Sequence, residues 1–136
     1  MKKAILFDLD GTLLPMDQDI FIKTYFGLIA KRMARLGYKP EELIHTIWKG
    51  ISAVIKNDGA LTNEDVFWKC FSEVYGDEQT KNDRTKFDDF YREDFPKVQN
   101  TCGFQPFAKE MIQYAKQQGY RVVLATNPLF PRIATE

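Results

Sequence analysis

Two hydrophobic rhythms run along this chain. Near its start Ala4, Ile5, Leu6 and Phe7 are apolar without a break, as in a strand covered on both faces rather than one that alternates. The pattern predicts a buried strand over residues 4–9, and "YRVVLATN", residues 120–127, predicts a second of the same kind. Between them the period lengthens. Ile20, Tyr25, Leu28, Ile29, Met33 and Leu36 recur at helical spacing from about residue 17 and stop at Gly37. Pro40 suits the first turn of a second helix, which carries Leu43, Ile47, Trp48, Ile51 and Val54 and ends at "NDG", residues 57–59. Thr62, with Asp65 three residues on, opens a third helix bearing Val66, Phe67, Cys70, Phe71 and Val74, which Gly76 closes. A charged fourth helix over residues 77–95 keeps Phe87, Phe90, Tyr91 and Phe95 in step and turns a wet face outward. "NTCGFQP", residues 100–106, reads as a linker, and a last helix over 106–118, ended by Gly119, leads into the second strand.

Parallel strands need a crossover of a dozen or so residues, normally with a helix. The helix at 106–118 is enough. Residues 15–100 are therefore surplus to the crossover, and their four helices read as a cap inserted after the first strand, with residues 1–14 and 101–136 forming a partial core layer. The class is α/β. Two buried-type strands alone would leave edge groups and apolar surface unmet. The expectation is that this chain is the front portion of a longer protein, or that another chain completes the sheet.

Composition narrows the picture. The 136 residues are 44% hydrophobic, and 19 basic side chains balance 19 acidic ones. That balance argues against an electrostatic grip on nucleic acid or on an anionic membrane. The apolar run after Lys2 and Lys3 is too short for a secretion signal or a membrane span. Cys70 and Cys102 form no CxxC pair and read as reduced core thiols of a cytoplasmic protein. His45, the single histidine, reads as an ordinary helix residue. Trp48, Trp68 and Phe67 read as cap core rather than a substrate pocket, and "DEQTKNDRTKFDD", residues 77–89, as a solvated face.

The candidate chemistry lies in "AILFDLDGTLL", residues 4–14. Side chains two apart on a strand point the same way, so Asp8 and Asp10 share one side at its carboxyl end, where open α/β sheets bind ligands. Two adjacent carboxylates repel, which costs stability unless a cation or a proton-transfer role compensates. Mg²⁺ takes oxygen ligands and bridges carboxylates to phosphate. A carboxylate can also attack phosphorus, and its neighbour can then serve as acid and base. Gly11 permits a sharp exit from the strand. Three rivals remain. "DG" is a hairpin signal, though Pro15 cuts the return strand short. A calcium loop begins similarly, but counted from Asp8 its sixth and twelfth positions are Leu13 and Asp19, not glycine and glutamate, and a strand precedes it. The third is a solvated strand end with two incidental acids.

"DLDGTLL" resembles the first motif, DxDGT, of the haloacid dehalogenase superfamily of phosphohydrolases, and "VVLATN", residues 122–127, resembles its second, a buried strand ending in Ser or Thr. The layout of the whole chain matches as well, including a helical cap of the type called C1. The resemblance implies a Rossmann-like core of which the first strands are present. It implies a Mg²⁺-dependent phosphatase acting on a small phosphorylated metabolite through an aspartyl-phosphate. By position, Asp8 becomes nucleophile and Mg²⁺ ligand. Asp10 becomes the general acid and base and gives the metal its backbone carbonyl. Thr12, Thr126 and Asn127 stand on the substrate side: Thr126 bonds the phosphoryl group, the Asn127 N–H lies nearby, and Thr12 helps set the turn beneath the cap. Family members that cleave carbon–halogen bonds lack the second aspartate, so Asp10 favours phosphoryl transfer. The family's third motif, a basic residue, and its fourth, an acidic pair, are missing: after Asn127 only "PLFPRIATE" remains, and Arg132 comes too early for the third. A phosphomutase of the same design, or an inactive binding or assembly module, are the alternatives.

Overall fold

A computed structural model of the chain describes residues 3–126. The order is β1 (Ala4–Phe7), α1 (Gln18–Ala34), α2 (Pro40–Ile55), α3 (Asn63–Tyr75), α4 (Asp77–Glu93), a 3₁₀ helix (Phe95–Thr101), α5 (Ala108–Gln117) and β2 (Arg121–Leu124). Among the described residues the sheet is one parallel pair, with Ala4 opposite Arg121 and Phe7 opposite Leu124. The architecture is mixed α/β, with α5 as the helix of the crossover into β2.

Local chemistry explains the helix boundaries. Asp17 caps α1 by accepting the Ile20 N–H at 3.1 Å, and Gly37 leaves the helical path with φ near 90°. Pro40 occupies the first turn of α2. Thr62 accepts the Asp65 N–H at 3.1 Å and donates its own hydroxyl to the Asp65 carboxylate at 2.6 Å. The capping pair is thus closed hydroxyl to carboxylate.

The apolar core lies between the helices. Its buried cluster runs from Tyr25 to Val98 and draws on α1, α2, α3, α4 and the 3₁₀ helix. Phe71 and Phe87 meet edge to face at 5.2 Å, and Trp68 and Phe87 do the same at 5.2 Å. Tyr25 and Tyr91 share a hydroxyl hydrogen bond of 2.7 Å inside this cluster; burial pushes the Tyr25 phenol up to about 12 and the Tyr91 phenol upward too, so both stay neutral. The charges of α4 lie on its outer side while Thr80, Phe87 and Phe90 turn inward. Arg32 of α1 donates to Glu93 and Asp94 at 2.9 and 2.6 Å and ties the end of α4 to α1.

The α2–α3 crossing is tight at Gly50. A Cβ there would sit 2.5 Å from Phe67 Cδ2, and Phe67 is buried. Gly50→Ala gains about 1 kcal/mol of helix propensity but forces an overpacking cost of about 1–3 kcal/mol. The expected outcome is a lower melting temperature than wild type, read by thermal unfolding.

Four expectations need correction. The strands are shorter than 4–9 and 120–127, and they are not covered on both faces: Leu6 is 64% and Leu124 45% exposed. The continuous apolar run records surface that no described element covers. Of the linker expected at 100–106, Asn100 and Thr101 instead close a 3₁₀ helix, Phe95–Thr101, that has Pro96 in its first turn and buries Val98. Trp48 is 42% exposed, leaning on the Phe26 ring at 5.2 Å instead of entering the core. Cys70 and Cys102 are free thiols at intermediate depth, not core residues. His45 is exposed on α2. Among the described residues no helix is long and apolar enough to cross a membrane.

Candidate active site

β1 stops at Phe7, and the chain then turns sharply. The Leu9 carbonyl accepts the N–H of Thr12 at 3.2 Å and that of Leu14 at 2.9 Å, while the Gly11 N–H donates to the Leu14 carbonyl at 2.9 Å. Gly11 takes φ near 77°, a left-handed conformation that a side chain would resist. The "DG" pair therefore makes a compact loop that closes on itself. It is not the hairpin its composition also allowed, since the return segment pairs only through a single parallel bridge of Leu14 with Asp10.

The neighbouring strand ends at the same edge. The Ala125 N–H donates to the Phe7 carbonyl at 2.7 Å, so the parallel register holds one step beyond the named strands. Thr126, half-buried, follows at once. Asp8, Asp10 and Thr126 thus all lie at the carboxyl end of the sheet, as the sequence predicts. Asn127 falls outside the described residues, as does Arg132.

Asp8 and Asp10 are both solvent-accessible. Asp8 accepts a hydrogen bond from the Thr12 hydroxyl, Oγ1 to Oδ2, at 3.0 Å. Partial burial, and after it the Asp8 carboxylate, push the Asp10 carboxyl above its ordinary value. An acid that holds its proton to higher pH is better placed to hand one over near neutrality.

That shift has a consequence for stability. Native Asp10 binds its proton more tightly than the unfolded chain does, so stability falls as pH rises from the unfolded value of 3.8 through the native one, and the loss is complete above both. Asp10→Asn removes the penalty. The expected result is a variant that melts higher than wild type at pH 7, with the difference vanishing near pH 3; equal melting temperatures at pH 7 would count against the raised native pKa.

The donor set suits a hard cation in kind, since carboxylate and carbonyl oxygens are what Mg²⁺ takes. In number it is partial: among the described residues no three His, Cys, Asp or Glu side chains cluster to hold a metal. A full octahedral site built here needs ligands from outside residues 3–126 or from water.

The sequence pattern bounds the helical segment at residues 15–100 but does not reveal that its two ends pair. Met16 and Cys102 form an antiparallel bridge, and the Gly103 N–H donates to the Pro15 carbonyl at 2.6 Å. A Cβ on Gly103 would come within 3.3 Å of the Pro15 ring. Both crossings therefore run side by side just beyond the aspartate loop. Gly103 and Pro15 were the available signals, but nothing in a one-dimensional pattern pairs them.

A family model described as haloacid dehalogenase-like hydrolase matches residues 2–134. No curated protein matches the chain.

Proposed function

We propose, because this chain belongs to the haloacid dehalogenase-like hydrolases, that it hydrolyses a small phosphorylated metabolite through a phosphoryl group carried on Asp8. The observation that carries the reading is the loop after β1, which holds Asp8 and Asp10 together at the strand's carboxyl end, beside the end of β2 and Thr126. The second aspartate favours phosphate over halide, because a phosphate ester has a leaving oxygen that needs a proton.

In this reading an Asp8 oxygen bonds to phosphorus as the ester P–O bond breaks, and the departing oxygen takes the proton of Asp10. Asp10, now ionised, removes a proton from water, whose oxygen attacks the same phosphorus. The Asp8–phosphorus bond breaks, inorganic phosphate leaves, and both aspartates return to their starting states. The Thr126 hydroxyl donates to a phosphoryl oxygen. Mg²⁺, held by the Asp8 carboxylate and the Asp10 carbonyl, would offset the repulsion between nucleophile and phosphate. Further strands, from outside the described residues or from another chain, would cover Leu6 and Leu124.

The test is Mg²⁺-dependent phosphate release from a generic aryl phosphate by the full chain. Release that disappears in Asp8→Asn supports the reading; no release, or release that survives the substitution, overturns it. A second reading, a binding or assembly module without turnover, draws on two observations. No three-ligand metal cluster forms among the described residues, and Phe104, Phe107 and Tyr114 stand exposed on and just before α5. Absence of release would favour that alternative.

A further inference from the structure

We infer that Thr12 is a positioning residue for Asp8, fixing which way the nucleophilic carboxylate points. The inference rests on the assignment of Asp8 as nucleophile and adds a role for Thr12 different from substrate contact. A side chain at the open end of a strand has several staggered rotamers available, and Asp8 is solvent-accessible. One contact selects among them: the Thr12 hydroxyl donates to Asp8 Oδ2 at 3.0 Å, the only hydrogen bond to this carboxylate among the described residues.

Thr12 can do this because its own backbone is held. Its N–H reaches the Leu9 carbonyl, and the Leu14 N–H reaches the same oxygen, so the loop closes on both sides of Thr12. The left-handed turn at Gly11 brings the chain back over Asp8. A hydroxyl has a single proton. Donated to Asp8, that proton is not available to a phosphoryl oxygen, which itself only accepts. Thr12 is thereby committed to the nucleophile. A hydrogen bond to an ionised acceptor is also stronger than one between neutral groups, enough to bias the rotamer without closing the site. With Oδ2 taken, Oδ1 is the oxygen left without a partner among the described residues.

The test reads the rotamer directly. Three-bond couplings between the backbone and the Asp8 β protons are measured by NMR on the full chain, without metal or substrate, for wild type, Thr12→Val and Thr12→Ser. Valine keeps the shape and removes the hydroxyl, while serine keeps the hydroxyl. The expected result is one Asp8 rotamer in wild type and in Thr12→Ser, and averaged couplings in Thr12→Val. Averaging in wild type, or a fixed rotamer in Thr12→Val, overturns the inference. Should the valine variant not fold, Thr12→Ser decides alone, because averaged couplings there also overturn it.

Turnover provides a second arm. Thr12→Val lowers kcat about tenfold with KM nearly unchanged, and Thr12→Ser restores most of it. A rise in KM instead would make Thr12 a substrate contact and overturn the inference. If no form releases phosphate while wild-type Asp8 is held in one rotamer through Thr12, the positioning role stands and the phosphatase reading falls.

Discussion

On the proposed chemistry, Asp8→Asn is expected to lose phosphate release by at least about a thousandfold and to stay as stable as wild type or slightly more so. An amide oxygen carries no full negative charge and cannot form the acyl-phosphate bond on which both half-reactions depend. What remains is binding and orientation, which do not break a P–O bond. The structure argues equally that folding survives. Asp8 is solvent-accessible and lies outside the apolar cluster. Its one hydrogen bond among the described residues, from Thr12, is replaceable because the asparagine side-chain oxygen also accepts. The substitution removes a like charge facing Asp10, one of the two causes of that group's raised pKa. Phosphate release and thermal unfolding on the same preparations check both halves; a variant that lost activity only because it had unfolded would refute the account.

The second large effect lies far from the chemistry. Phe90→Ala destabilises the protein by about 3–5 kcal/mol. Phe90 is 0% exposed and sits where three elements meet: its ring lies 5.9 Å from Tyr25 of α1, 5.2 Å from Tyr91 of α4 and 6.5 Å from Phe95 of the 3₁₀ helix. Removing the ring forfeits its burial, leaves a cavity and loses these edge contacts together. Against a net stability of about 5–15 kcal/mol for an ordinary domain, that is enough to unfold a marginal protein. Denaturant unfolding measures it, with Phe107→Ala as comparison. Phe107 stands exposed, so its loss falls within about 0.5 kcal/mol.

Phe90 and Asp8 also show what could and could not be read from the sequence. Helical spacing placed Phe87 and Phe90 on an inward face correctly, because a helix with a single apolar stripe has only one way to bury it. The chain's punctuation worked for the same local reasons: Gly37 and Gly76 take left-handed conformations, and Thr62 caps the helix it precedes. The strands were overread. An uninterrupted apolar run announces what a strand is suited to touch, but burial depends on what else is present, and Leu6 and Leu124 remain exposed. Trp48 failed similarly, since its place in the helical period fixed its face without fixing how far α1 reaches over it.

At the site, the adjacency of Thr126 followed from parallel pairing, whereas Asp8 and Asp10 come together in the loop after β1 and not, as expected, by alternation on the strand itself. The hydrogen bond from Thr12 to Asp8 followed from neither pattern. It depends on the turn type at Gly11, which brings a residue four positions on back over the strand end. Nor could the bridge of Met16 with Cys102 be foreseen, because it joins residues far apart in sequence through backbone alone.

The most direct test of the central claim is to trap the covalent intermediate. The full chain is mixed with a generic aryl phosphate and Mg²⁺, quenched in acid, digested and analysed by mass spectrometry. The account predicts one added phosphoryl group on the peptide containing Asp8, located on Asp8 itself, accumulating in Asp10→Asn, where its hydrolysis is slowed, and absent in Asp8→Asn. Phosphate released with no phosphoryl group ever found on Asp8, or a phosphoryl group on another residue, would contradict it.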